Sequence, residues 1–276
     1  MMEYRPSLPG KNDNVSHNHP VREFILLLSG ITLFLSVLFW ASSLLVDQAV
    51  NYITPEMEGR IFSAFSPLGK EPVQDGNPQQ EKLQSMVKSL SRCIHIAYPL
   101  RVYLVDSKTA NAMALPGGRI LVFKGLLDKV KSENGLSFVL AHELAHFQNR
   151  DHLRGMGRGI VMTAVAALIT GAGSDLTRWI TPTVNLNMAQ YSQTRERLAD
   201  EKALQVLDCF YGHVGAATEF FNAMTPGNEE KNILIGQYFN SHPEALERIK
   251  NLEELAKKSE FHIRAVKPLP LVLKED

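Results

Sequence analysis

The sequence predicts an α+β domain, mainly helical with a small sheet, preceded by one transmembrane helix. Three observations carry this reading. Residues Phe24–Val46 form an apolar run without a single charge. Two short strand-like runs, Arg101–Val105 and Arg119–Phe123, are separated by a Pro116-Gly117-Gly118 turn signal. Beyond them, apolar residues recur at helical spacing as far as Lys258.

Composition sets the outer bounds. The 276 residues are 45% apolar and 21% charged, enough for one large domain or two small ones around a sizeable core. Lys plus Arg and Asp plus Glu each number 29, so the formal net charge is zero. No cationic excess is there to neutralise a phosphate backbone, and nucleic acid is not expected as a partner. Two cysteines, Cys93 and Cys209, are too few for a disulfide framework or a Cys-rich zinc module. Outside the cytoplasm they could pair, but their separation in sequence says nothing about proximity. Any metal must be held by His and carboxylates.

Along the chain, residues 1–23 are polar and rich in Asn, Pro and His, and read as a disordered tail. Residues 24–46, as a helix rising about 1.5 Å per residue, span about 34 Å, which matches a bilayer core. Ser29, Thr32 and Ser36 are tolerable in lipid if they bond back to the helix backbone. Arg5, Lys11 and Arg22 precede the span and only Arg60 closely follows it, so the N-terminus is expected in the cytoplasm and the rest outside. Residues 47–77, interrupted by Pro55, Pro67 and Pro72, read as a linker. The globular pattern covers 78–258, with helices expected near Glu81–Arg92, Glu133–Asn149, Gly159–Thr170, Asn187–Tyr211 and Pro243–Lys258. Ile160–Ala172, uncharged but too short to span, reads as a buried helix, the alternative being a segment that dips into the same membrane with Arg154, Arg158, Arg178 and Trp179 at the interface. Residues 259–276 end the chain in an extended tail.

His142-Glu143-Leu144-Ala145-His146 places two imidazoles four apart on a helix, about 40° from each other around its axis. Both can share one metal ion, while Glu143 reaches a metal-held water without ligating the ion. The apolar flanks Phe138, Val139, Leu140 and Leu144 make two idle histidines costly there. A catalytic zinc needs a third protein ligand and one open position. Spacing leaves two candidates. His152 stands ten residues after His142, the metzincin spacing, with Asn149 at the position that calls for positive φ and Met188 as a conceivable Met-turn. Glu196 lies on a later helical run with Asp200 four residues on, so one carboxylate can bind metal while the other accepts an N–H from a ligating histidine.

Four segments together resemble the membrane-associated gluzincin peptidases, metallopeptidase family forty-eight, which includes HtpX, the CAAX prenyl endopeptidase and the Oma-type proteases. They are Asn111-Ala112 with Pro116-Gly117-Gly118; His142 to His146; Glu196-x-x-Ala199-Asp200; and Ser241-His242-Pro243 with Arg248. The single apolar span resembles the Oma-like branch. The resemblance implies a zincin-like metalloprotease fold and a site of one Zn2+ held by His142, His146 and Glu196. Asp200 would orient a ligand, and His152 would become a polar residue of the following turn.

The implied activity is peptide hydrolysis by a zinc-activated water with Glu143 as general base. The partners would be a protein or peptide substrate and the lipid bilayer. Gly118, Arg119, Ile120 and Leu121 resemble the family's edge strand, which would take substrate as an added strand. His242 has two readings: a local packing residue beside the Ser241 cap, or a catalytic imidazole near the metal. The expected location is a single-pass membrane protein with its catalytic domain extracytoplasmic, facing a bacterial periplasm or a similar intermembrane compartment. A role in membrane or envelope quality control is analogy. The alternative function is a metal-stabilised assembly or chaperone-like factor that needs no proteolysis, against which the intact Glu143 argues.

Overall fold

The computed structural model describes residues 19–63, 77–97, 99–170, 193–224 and 245–274. The apolar run forms the middle of a longer helix, α1 (Pro20–Tyr52). Its hydroxyls bond back to the helix, Ser29 to the Leu26 carbonyl at 2.9 Å and Thr32 to that of Leu28 at 2.8 Å. No polar group of these side chains is therefore left for lipid to solvate. Among the described residues, α1 is the one helix long and apolar enough to cross a membrane.

The expected linker is structured in its first part. The chain turns at Ile53 and Thr54 and forms α2 (Pro55–Ser63), with the Thr54 hydroxyl accepting from the Met57 N–H at 3.2 Å. Within the globular unit, Val46 and Val50 at the end of α1 pack with Leu153.

The globular fold begins with α3 (Pro78–Leu90), capped by Asn77, whose Oδ1 accepts from the Gln79 and Gln80 N–H groups. Proline at the first helical position costs nothing there, because its missing N–H has no intrahelical partner. Leu83, Met86, Val87 and Leu90 form the buried face. Three strands follow: β1 (Arg101–Val105), β2 (Ala112–Leu115) and β3 (Arg119–Phe123). Their order is β1-β3-β2, with β1 parallel and β2 antiparallel to β3. Gly117 and Gly118 both take positive φ, 84° and 77°, which closes the tight β2–β3 turn without a Cβ clash.

This order corrects the expectation that Gly118, Arg119, Ile120 and Leu121 form an edge. Arg119 to Phe123 is the central strand, paired on both sides, and the Gly118 carbonyl accepts from the Arg101 N–H at 2.8 Å. The outer side of β1 is also occupied. Gln84 accepts from the Val102 N–H and donates to the Leu100 carbonyl, and Gln80 accepts from the Leu104 N–H. Two glutamines of α3 thus substitute for a neighbouring strand. The edge that faces no strand or glutamine among the described residues is β2.

A short α4 (Lys124–Leu127) leads to α5 (Glu133–Asn149), which is buried from Asn134 to Phe147. The Ser132 hydroxyl caps α5 by accepting from the Gly135 N–H at 2.9 Å. A helix apolar on nearly all sides belongs at the centre. Sheet strand β2 and helix α7 (Gln193–Tyr211) pack against it, with α6 (Asp151–Thr170) following at its end. Helix α8 (Glu219–Met224) and α9 (Ala245–Lys258) complete the described body, and Phe221 meets Phe138 edge to face at 6.0 Å. The expected extended tail holds a short 3-10 turn, Leu271–Leu273, with Leu269 and Leu273 buried. Cys93, after α3, and Cys209, in the last turn of α7, form a disulfide.

Candidate metal centre

Helix α5 carries His142, Glu143 and His146, all buried, and α7 brings Glu196 and Asp200 against it. The two Nε2 atoms stand 3.0 Å apart. Glu196 places Oε2 3.4 Å from His142 Nε2 and Oε1 3.4 Å from His146 Nε2. The three ligand-type groups lie within 4.8 Å of one another. Tetrahedral zinc with bonds near 2.0–2.1 Å has ligand atoms about 3.3 Å apart, so these spacings suit the edges of one coordination sphere.

The far side of each imidazole fixes its tautomer. His142 Nδ1 lies 3.0 Å from Asp200 Oδ1, and His146 Nδ1 lies 3.0 Å from Asp151 Oδ2. An ionised carboxylate only accepts, so each Nδ1 carries the hydrogen and each neutral ring turns the Nε2 lone pair inward. Two inward lone pairs at 3.0 Å repel unless a cation lies between them. Without a metal that cation is a proton. Burial opposes charge on His146, but the hydrogen bonds to Asp151 and Glu196 outweigh it and push its pKa up to about 10. His142 also titrates above its ordinary value: burial and the Arg248 and His146 charges oppose this, and bonds to Asp200 and Glu196 prevail.

Arg248 of α9 closes the other side. Its Nη1 lies 2.7 Å from Glu196 Oε2, and its Nε and Nη2 donate to Asp200 Oδ2 and Oδ1 at 2.9 and 2.6 Å. The guanidinium stacks over the Phe221 ring at 4.4 Å. Burial would raise the Asp200 pKa, but the charge of Arg248 and the bond to His142 hold it below the ordinary carboxylate value.

His152, the rival ligand by spacing, turns elsewhere. Its Nε2 lies 3.0 Å from Oε1 of the buried Glu58. The left-handed residue after α5 is Arg150 (φ 57°) rather than Asn149, which ends the helix. Arg150 donates to the Val50 carbonyl at 2.8 Å and to Glu58 at 3.3 Å, and these partners hold the strained turn. Ser241, His242 and Met188 lie outside the described residues. Sequence reasoning missed Asp151, Glu58 and the direct reach of Arg248 into the site.

The family model described as Peptidase family M48 matches residues 77–256. The chain belongs to this family. Family M48 relatives include the mitochondrial metalloendopeptidase OMA1 of Schizosaccharomyces pombe, 28% identical over 156 residues, covering 55% of this chain and 45% of the relative. The mitochondrial metalloendopeptidase OMA1 of Homo sapiens is 28% identical over 170 residues, 56% of this chain and 32% of the relative. A protease HtpX homolog of Nostoc punctiforme is 30% identical over 177 residues, 58% of this chain and 55% of the relative. The match thus spans about half or less of each relative's own length.

Proposed function

We propose that the chain is a membrane-anchored, zinc-dependent endopeptidase that cuts extended segments of protein substrates. The observation that carries this reading is the cluster of His142, His146 and Glu196 with the buried Glu143 on the same helix. Two imidazoles and a carboxylate are a donor set suited to zinc. When bound, the ion would supply Lewis acidity and bring the pKa of a water down to about 7.

The remaining work falls to side chains. Glu143 is the general base: it takes the proton from the attacking water and passes it to the leaving amine. Its charge already acts on His146. Asp200 and Asp151 keep both imidazoles in the ligating tautomer. Arg248 spreads positive charge over Glu196 and Asp200 and helps hold the Asp200 pKa below its ordinary value. His242 enters the reading as a donor to the oxyanion that develops on the scissile carbonyl.

Substrate binding moves from β3 to β2. Among the described residues no strand pairs the outer edge of β2, and that edge can take an extended segment through the backbone, which places little demand on side-chain identity. Asn111, just before β2, has its Oδ1 buried without a hydrogen-bond partner among the described residues, an acceptor suited to a substrate N–H. Helix α1 anchors the enzyme, and the Lys and Arg bias around it supports a catalytic domain outside the cytoplasm. By family analogy its substrates are membrane or envelope proteins under quality control.

The test is Glu143→Gln in the full chain, purified in detergent. It should retain the metal and lose cleavage of an unfolded protein substrate by at least about 10²-fold, the usual scale of a general base. A variant that cleaves at the wild-type rate contradicts the mechanism.

A further inference from the structure

We infer that Asp47, at the end of the long apolar helix, is a positioning residue for the metal centre, acting through Arg195 and Asp151 on His146. The inference rests on the metallopeptidase reading and extends it beyond the family-matched region, which begins at residue 77. The contacts form one line. Asp47 Oδ1 accepts from Arg195 Nη2 at 3.3 Å. The same guanidinium donates through Nη1 to Asp151 Oδ1 at 3.0 Å. The other oxygen of Asp151 lies 3.0 Å from His146 Nδ1. Asp151 is buried, and Asp47 and Arg195 are partly exposed.

Asp47 is held in place independently of this line. Arg154 Nη1 lies 3.1 Å from its carboxylate and donates to its backbone carbonyl at 3.0 Å. Arg158 Nη2 lies 3.2 Å from the carboxylate. Val46 beside it packs close to Gly157, where an added Cβ would meet the Val46 side chain at 2.7 Å. The missing side chain at Gly157 lets these helices approach.

The chemistry gives the effect a sign. Arg195 is one guanidinium shared by two carboxylates. Neutralising Asp47 leaves its charge wholly on Asp151, which then accepts less strongly from His146. The imidazole becomes a poorer donor at Nε2, and the ion is held more weakly.

A double-mutant cycle tests this in the full-length chain in detergent, titrated with a chelator while bound zinc is measured. Asp151→Asn should lower zinc affinity about 10–100-fold, as loss of a direct outer partner does. Asp47→Asn should lower it about threefold to tenfold, and Asp47→Glu should recover most of that loss. In the Asp151→Asn background, Asp47→Asn should add nothing, because the path is already broken. Arg158→Gln, which touches Asp47 but not Asp151, should leave zinc affinity within about twofold. An unchanged affinity for Asp47→Asn, or a loss that simply adds to that of Asp151→Asn, overturns the inference. If Asp47→Asn fails to fold, Arg195→Gln replaces it in the cycle with the sign reversed: freeing Asp151 of the guanidinium should raise zinc affinity, and should do nothing in the Asp151→Asn background, whereas a change that persists in that background, or none at all, overturns the inference. A wild-type chain that binds no zinc refutes the metallopeptidase reading instead. The same cycle read by thermal unfolding of metal-free protein then decides the relay, coupled losses supporting it and additive ones opposing it.

Discussion

His146 shows how one residue links the metal centre to stability. In the metal-free chain its pKa is raised from 6.5 to about 10 by Asp151 and Glu196, against the opposing effect of burial. A raised value means that the folded state holds a proton which the unfolded chain releases above pH 6.5. That contribution is complete below pH 6.5 and is lost as pH climbs through about 10. Asp200 behaves in the opposite sense. Held below 3.8 despite burial, it contributes above that pH and loses its contribution as pH falls through its depressed folded value. Metal-free protein should therefore melt at progressively lower temperature from pH 6.5 to 10, as read by scanning calorimetry. In the proposed site zinc would replace the proton on His146, so the melting temperature gained on adding zinc should widen over the same range. A gap that narrows with rising pH would contradict the assigned tautomers.

At the scale of elements, α5 sets the geometry because its N-terminus is pinned. Ser132 caps it and also donates to Glu219 Oε2 at 2.7 Å, tying the start of α5 to α8. Ser132→Ala should cost about 1 kcal/mol, the usual value of a lost cap, measured by denaturant unfolding. A change below a few tenths would show that water replaces the cap. The α5 span Glu133–Asn149 was legible from its apolar spacing, as were β1 and β3 from their β-branched runs. Strand β2 was not. Ala112-Met113-Ala114-Leu115 has a helix-former's composition, and only the turn at Gly117 and Gly118 and the pairing with β3 make it a strand. The edge role of β3 came from the family resemblance alone, and the pairing with β2 on one side and β1 on the other overturns it.

For the whole molecule, what stayed hidden is what depends on long separation. Asp47 and Glu58 read as linker charges because their partners Arg150, His152, Arg154, Arg158 and Arg195 come about a hundred or more positions later. Asp151 gave no signal because its reach to His146 depends on the left-handed turn at Arg150. The pairing of Cys93 with Cys209 was equally unreadable across 116 positions. In the chain-entropy account a loop of that size contributes about 4–5 kcal/mol, and it staples α3 to the helix that carries Glu196 and Asp200. By contrast, His142, Glu143, His146, Glu196 and Asp200 could be assigned roles from local spacing and family resemblance, since their elements are long and strongly patterned.

The most direct check is the zinc content per chain of material purified without chelators, comparing wild type, Glu196→Ala and His152→Gln. The account predicts one ion per chain in wild type and His152→Gln, and loss of the ion from Glu196→Ala. Retention by Glu196→Ala together with loss from His152→Gln would contradict it.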